Sequence, residues 1–206
     1  MTHGPIDRKA PRERIQLDET SWIDIVRGFA RDTDQTFERL VREVDWQQNR
    51  MIRSGRMVDD PRLDGWLSGP RAEAEPTFRF TRLVLDARYR VRVYGPSLVY
   101  YRHGRDSMGL HRDDEMRWLD HTVIAGLAFG ATRPFVLQSV HSKIRHEIPI
   151  AGGDLYVMGG RCQADWLHGV PKLPKLQECG PKISAVWRWT SKRGRPTLPH
   201  RERIGY

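Results

Sequence analysis

His111 and Asp113 stand two positions apart in Leu110-His111-Arg112-Asp113-Asp114-Glu115, and His168 follows 57 positions after His111 in Trp166-Leu167-His168-Gly169-Val170. Two imidazoles and one carboxylate can fill one face of an Fe(II) ion and leave the other face open for co-substrate and O₂. The same three groups can hold Zn²⁺ for hydrolysis, so residue types and spacing leave both metals open. Arg188, 20 positions after His168, supplies a cation able to anchor an acidic co-substrate. H-x-D with a distant His is a short pattern that also arises by chance. The other histidines (His3, His103, His121, His141, His146 and His200) read as ordinary surface or core residues.

Whatever elements surround these residues must bring them together. Residues i and i+2 of a strand share a face, so His111 and Asp113 fit one strand end, and His168 must come from a second strand opposite. From about residue 91 the texture is β: Ser97–Tyr101, Thr122–Phe129, Phe135–Val140, Glu147–Ile150, Asp154–Met158 and Ile183–Thr190 are short apolar runs between turn residues. Strands at this spacing suggest a sandwich or barrel. Gly152-Gly153-Asp154 and Gly159-Gly160 read as turns bracketing one strand.

Before residue 91 the pattern is helical. Asp32 or Thr33 can cap a helix ending near Trp46, with Phe37, Leu40, Val41 and Val44 as its apolar face. A second helix over 78–90 would carry Phe80, Leu83, Val84 and Ala87 on one side. Residues 47–76, with three Gly and three Pro, read as an irregular basic loop region with room for short strands. Residues 1–20 read as a loose, flexible basic arm, 21–191 as a single domain and 192–206 as a basic tail.

The net charge is +9 and the pI about 10.0, and 29 of the 35 basic residues are Arg. Arg grips phosphate with a planar fork and stacks on bases, so the balance suits a nucleic-acid partner. Solvated faces in an Arg-biased composition give the same numbers. No run of about 18 apolar residues exists, so no membrane-spanning helix is expected. Met1–Asp7 has no apolar core of a signal peptide, so a cytoplasmic monomer with reduced Cys162 and Cys179 is expected.

Gly109–Glu115, preceded by Tyr100–Met108, resembles the AlkB-type Fe(II)- and 2-oxoglutarate-dependent dioxygenases, which are oxidative nucleic-acid dealkylases. The likeness continues through Ile124–Phe135, Gly153–Gly160, His168–Pro171 and Pro181–Arg188, and covers residues 97–190. It implies a mainly β fold with N-terminal α, namely a double-stranded β-helix (jelly roll) over about 91–190. It also implies a substrate-lid segment over about 46–76. By the motif match His111, Asp113 and His168 would hold iron. Arg188, Lys182 and Tyr101 would bind 2-oxoglutarate.

Two positions depart from the family pattern. Lys182 stands where the closing R-x-N-x-T-x-R motif begins with Arg, and Val99 stands where the family often has Asn. Glu115 matches a contact to the substrate base. Trp46, Arg53, Arg56, Arg62 and Trp66 would stack on bases and pair phosphates from the lid. The implied reaction consumes O₂ and 2-oxoglutarate, strips an N-alkyl group from a flipped or single-stranded base, and releases formaldehyde, succinate and CO₂. The alternatives are a hydroxylase of the same chemistry acting on a small molecule or protein, and a catalytically impaired nucleic-acid binder.

Overall fold

Alternation of side chains along the strands divides the apolar residues into two layers, one on each face of a large sheet. The structure is a computed structural model that describes residues 4–53, 55–67, 74–113, 116, 118–174 and 179–192. Within these, the chain runs β1 (Arg12–Gln16), β2 (Ser21–Val26), α1 (Thr33–Glu43), β3 (Arg50–Arg53), β4 (Arg56–Asp59), β5 (Leu63–Trp66) and α2 (Pro76–Tyr89). It continues through β6 (Tyr94–Tyr101), β7 (Met108–His111), β8 (Thr122–Gly130), β9 (Arg133–Ser139), β10 (Arg145–Ile150), β11 (Leu155–Gly160), α3 (Cys162–Asp165), β12 (Trp166–Val170) and β13 (Lys182–Thr190). A seven-stranded sheet has the order β1-β2-β11-β8-β13-β6-β5, a four-stranded sheet the order β10-β9-β12-β7, and β3-β4 form a separate hairpin. No described helix is long and apolar enough to cross a membrane.

β13 shows how the layers arise. Ile183, Ala185 and Trp187 join the core shared with α1 and α2, where Phe78 meets the rings of Trp187 and Phe129 at 5.7 and 6.1 Å. The alternate residues Lys182, Ser184, Val186 and Arg188 face the other way, towards the smaller sheet. There Ile23, Ile124, Tyr156 and Met158 of the large sheet meet Phe135, Leu137 and Ile148 of the small one. Two antiparallel sheets closing over a shared interior form the expected jelly roll, mainly β with helices near the N-terminus.

Three local expectations are corrected. Residues 4–20 are not a loose arm: β1 pairs with β2, and Ile6 and Leu17 are buried. Buried Asp24 of β2 holds the strand in place, accepting from Arg14 Nε at 2.6 Å and from the Tyr89 hydroxyl at 2.9 Å. α2 buries Thr77, Phe78, Thr81 and Leu85, leaving Leu83 53% exposed, because both of its faces carry apolar residues and the Phe78 stripe is the one that meets the sheet. Gly159 and Gly160 lie within β11 rather than in a turn, Gly159 being the position where the Trp22 ring crosses the strand.

α1 forms where expected, with Asp32 at its N-cap, although that residue is left-handed (φ 50°) and its carboxylate makes no capping bond. Leu40 and Val44 are buried, while Val41 turns to solvent. Both cysteines are free. The basic tail beyond residue 192 and part of the lid segment, 68–73, lie outside the described residues.

Candidate active site

β7 and β12 lie side by side in the small sheet, with His111 directly opposite His168. Cross-strand partners share a face, and the two imidazole centroids are 4.3 Å apart. Asp113, two residues past His111, turns to the same side. Its backbone N–H donates to Gln163 Oε1 at 2.8 Å, which fixes the chain as it leaves the strand. The potential ligand atoms of His111, Asp113 and His168 all lie within 4.8 Å of one another.

The electrostatics suit a cation. His111 Nδ1–H donates to Gly109 O at 2.9 Å, which turns Nε2 to the cluster, 3.3 Å from Asp113 Oδ1. Burial, reinforced by His111, pushes the His168 imidazole down to about 3, so it is neutral at physiological pH. Burial alone would raise the Asp113 carboxyl, but the His111 contact and the Arg188 charge outweigh it and hold the group well below the usual carboxylate range. A neutral His168 imidazole and an ionised Asp113 carboxylate beside His111 form a ligand set ready to bind.

Arg188 reaches the triad from the large sheet. Its Nε donates to Asp113 Oδ2 at 2.6 Å and its Nη1 to Ser97 Oγ at 2.8 Å. Lys182 lies six positions earlier on the same face, roughly 20 Å along an extended strand. It is buried, and its Nζ donates to Ile150 O at 3.1 Å. Burial pushes its ammonium down to about 7.

Tyr101, opposite Lys182 on β6, is buried beneath the Arg133 guanidinium, 5.7 Å from its ring centroid. Between the two cations lie Ser184 and, across the strand pair, apolar Val99. The Ser184 hydroxyl is buried against the Tyr156 hydroxyl, and the buried His168 Nδ1 has no hydrogen-bond partner among the described residues. Buried hydroxyls and an ammonium with no carboxylate partner among the described residues, all within one interior, fit a dicarboxylate ligand bound next to a metal.

The expected lid residues separate. Trp66 is 69% exposed on β5 and pairs with Ser97. A Cβ on neighbouring Gly65 would strike Val44 and Trp46 on the helix side, so Trp66 faces the Arg188 side. Trp46 is corrected: it packs into the helix-side core, 5.1 Å from the Tyr100 ring, and does not face the site. Arg62 pairs with Asp60 at 2.8 Å and Asp64 at 3.3 Å within its own loop. Arg56 is exposed on the β3–β4 hairpin opposite Arg53, and Glu115 lies outside the described residues.

Gln163, Ser97 and Tyr156 were not singled out from sequence. They reach the site through pairings 50, 91 and about 30 positions long, which no local spacing signals.

The fold and triad define an Fe(II)-type oxygenase, and a model of the 2OG-Fe(II) oxygenase superfamily matches residues 96–193. The alpha-ketoglutarate-dependent dioxygenase alkB homolog 3 of Bos taurus is 31% identical over 214 residues, covering 88% of this chain and 74% of that protein. The Homo sapiens protein of the same name is 30% identical, covering 93% and 75%. The Homo sapiens DNA oxidative demethylase ALKBH2 is 26% identical, covering 76% and 68%. Among solved structures, OsALKBH1 superposes with a TM-score of 0.54 at 13% identity, over 81% of this chain and 97% of that one, a likeness of fold. The chain belongs to the AlkB-type Fe(II)/2-oxoglutarate-dependent dioxygenases. It is an oxidoreductase whose chemistry needs Fe(II), 2-oxoglutarate and O₂.

Proposed function

We propose that this protein oxidatively removes N-alkyl groups from the bases of nucleic acid, with single-stranded or flipped nucleotides as its substrate. The observation that carries the reading is the position of Trp66. An exposed indole stands on the same sheet face as Arg188, paired to the residue that Arg188 grips, and so borders the triad. An unpaired base can stack there while its alkyl group faces the metal position. The basic balance of the chain favours a polyanionic partner, and the alkB-homologue relatives named as DNA oxidative demethylases support the same substrate class.

His111, Asp113 and His168 would hold the iron, and the bound ion would supply O₂ activation coupled to decarboxylation of 2-oxoglutarate. Arg188 keeps the Asp113 carboxylate turned so that Oδ1 faces the histidines. Arg188 and Lys182 offer charge to the two carboxylates of the co-substrate, and Tyr101 offers a hydroxyl. Val99, Phe135 and Val186 line the interior with apolar surface that keeps water out. Val99 offers no polar contact, so Lys182 and the hydroxyls of Ser184 and Tyr156 carry the orientation of the co-substrate.

The test is aerobic incubation with Fe(II), 2-oxoglutarate and N-methylated single-stranded oligonucleotides, following succinate and oligonucleotide mass. Loss of one methylene per lesion, absent in His111→Ala, is expected. Succinate release with every oligonucleotide unchanged would sink the substrate assignment and send the search to small molecules or proteins.

A further inference from the structure

β6 extends past the triad at its N-terminal end. Val93 is buried against the helix-side core, so Tyr94, the next residue, turns to the opposite face. The pairing of Tyr94 with Arg188 gives the same answer independently. At 72%, Tyr94 is the most exposed large apolar side chain among the described residues. Arg90 and Arg92, four and two positions before it, are exposed. A bare aromatic ring preceded in the chain by two exposed guanidinium groups has the composition of a single-strand track. The ring stacks on any base, and the cations follow the phosphates. A bulge sets Ser97 and Tyr94 opposite Val186 and Arg188, two strand steps or about 7 Å apart, a reach that suits the nucleotide next to the reacting one.

We propose that Tyr94, Arg90 and Arg92 bind the nucleotides flanking the reactive base of a single-stranded substrate. This deepens the nucleic-acid reading above and rests on it. A duplex keeps its base faces stacked on one another, so the ring selects for unpaired strands.

The test is fluorescence anisotropy with a labelled single-stranded oligonucleotide of about a dozen nucleotides, titrated at several salt concentrations. Tyr94→Ala is expected to weaken binding about tenfold and Tyr94→Phe by less than about twofold, since stacking needs the ring and not the hydroxyl. Arg90→Gln/Arg92→Gln is expected to flatten the salt slope by about 1.4, the loss of two phosphate contacts on a single strand. Arg105→Gln, an exposed arginine at the far end of β6, leaves slope and affinity unchanged. Unaltered binding by Tyr94→Ala, or equal losses from Arg105→Gln, would overturn this surface while leaving the dealkylase reading intact. Tighter binding of the matching duplex would overturn it as well. A wild-type protein that binds no oligonucleotide would overturn both readings together.

Discussion

Arg188 and Asp113 divide the labour of one carboxylate: Oδ2 accepts from Arg188 Nε at 2.6 Å, and Oδ1 is left facing His111 Nε2 at 3.3 Å and His168 Nε2 at 3.8 Å. The residue placed to meet the co-substrate thus also orients a metal-binding oxygen. Arg188→Ala should lower metal affinity by about 10- to 100-fold, as loss of a partner behind a ligand does. Arg188→Lys should recover part of it, because charge returns without the fork. Calorimetric titration with Mn(II) reads both. An unchanged Kd in Arg188→Ala would show that Asp113 is held without it.

The two tryptophans expected in the lid should behave oppositely. Trp66→Ala removes an exposed ring and should weaken oligonucleotide binding by about 1–3 kcal/mol per lost stack while leaving the Tm unchanged. Trp46→Ala removes a ring packed on Tyr100 and should lower the Tm by several degrees. Thermal melts and anisotropy on the two variants check the pair. A Trp66→Ala protein that binds normally would remove the indole from the substrate path.

Lys182 gives the site a pH dependence. Its folded-state value of about 7 lies below the ordinary 10.5, so the unfolded chain binds more protons between these limits. Stability should therefore rise with pH across that window, and the contribution is lost as pH falls through 7. A carboxylate placed beside Nζ favours the charged form. Binding of 2-oxoglutarate should then take up a proton above pH 7, with affinity flat below and falling above. Melting curves of wild type against Lys182→Met isolate the first effect, and calorimetry in two buffers of different ionisation enthalpy reads the second. Equal pH profiles for the two proteins would refute the assignment.

Gly126 should tolerate no side chain. A Cβ there would sit 2.1 Å from Tyr156 Cζ, so Gly126→Ala must drive the ring into the interior. A destabilisation of about 1–3 kcal/mol is expected, and the displaced ring should also weaken 2-oxoglutarate binding. A Gly126→Ala protein with the wild-type Tm would show that the ring has room to move.

What could be read from sequence followed from how local the cause was. β8 announced itself as an apolar run, because a strand buried on both faces has no polar alternation to hide it. The H-x-D spacing placed two groups on one strand end, and the structure adds His168 directly across the ladder. β2 was missed, since Ser21–Val26 owes its place to pairing with β11, more than 130 positions away. The buried face of α2 was misjudged because Thr81, fully buried, reads as polar. Trp46 and Trp66 look alike in sequence. Only the register of β5, with Gly65 pressed against Trp46, sends one inward and the other to the site.

The Asp24 cluster sets a limit on how the protein can be trimmed. Removing residues up to Gln16 would take away Arg12 and Arg14, while the fully buried carboxylate stays behind with the Tyr89 hydroxyl as its remaining partner. An uncompensated buried charge costs several kcal/mol, and it would sit where β2 meets α2, remote from the histidines. A shortened version made for crystallisation or labelling should therefore keep everything from Arg12 onward, and a tag is better attached upstream of it than substituted for it.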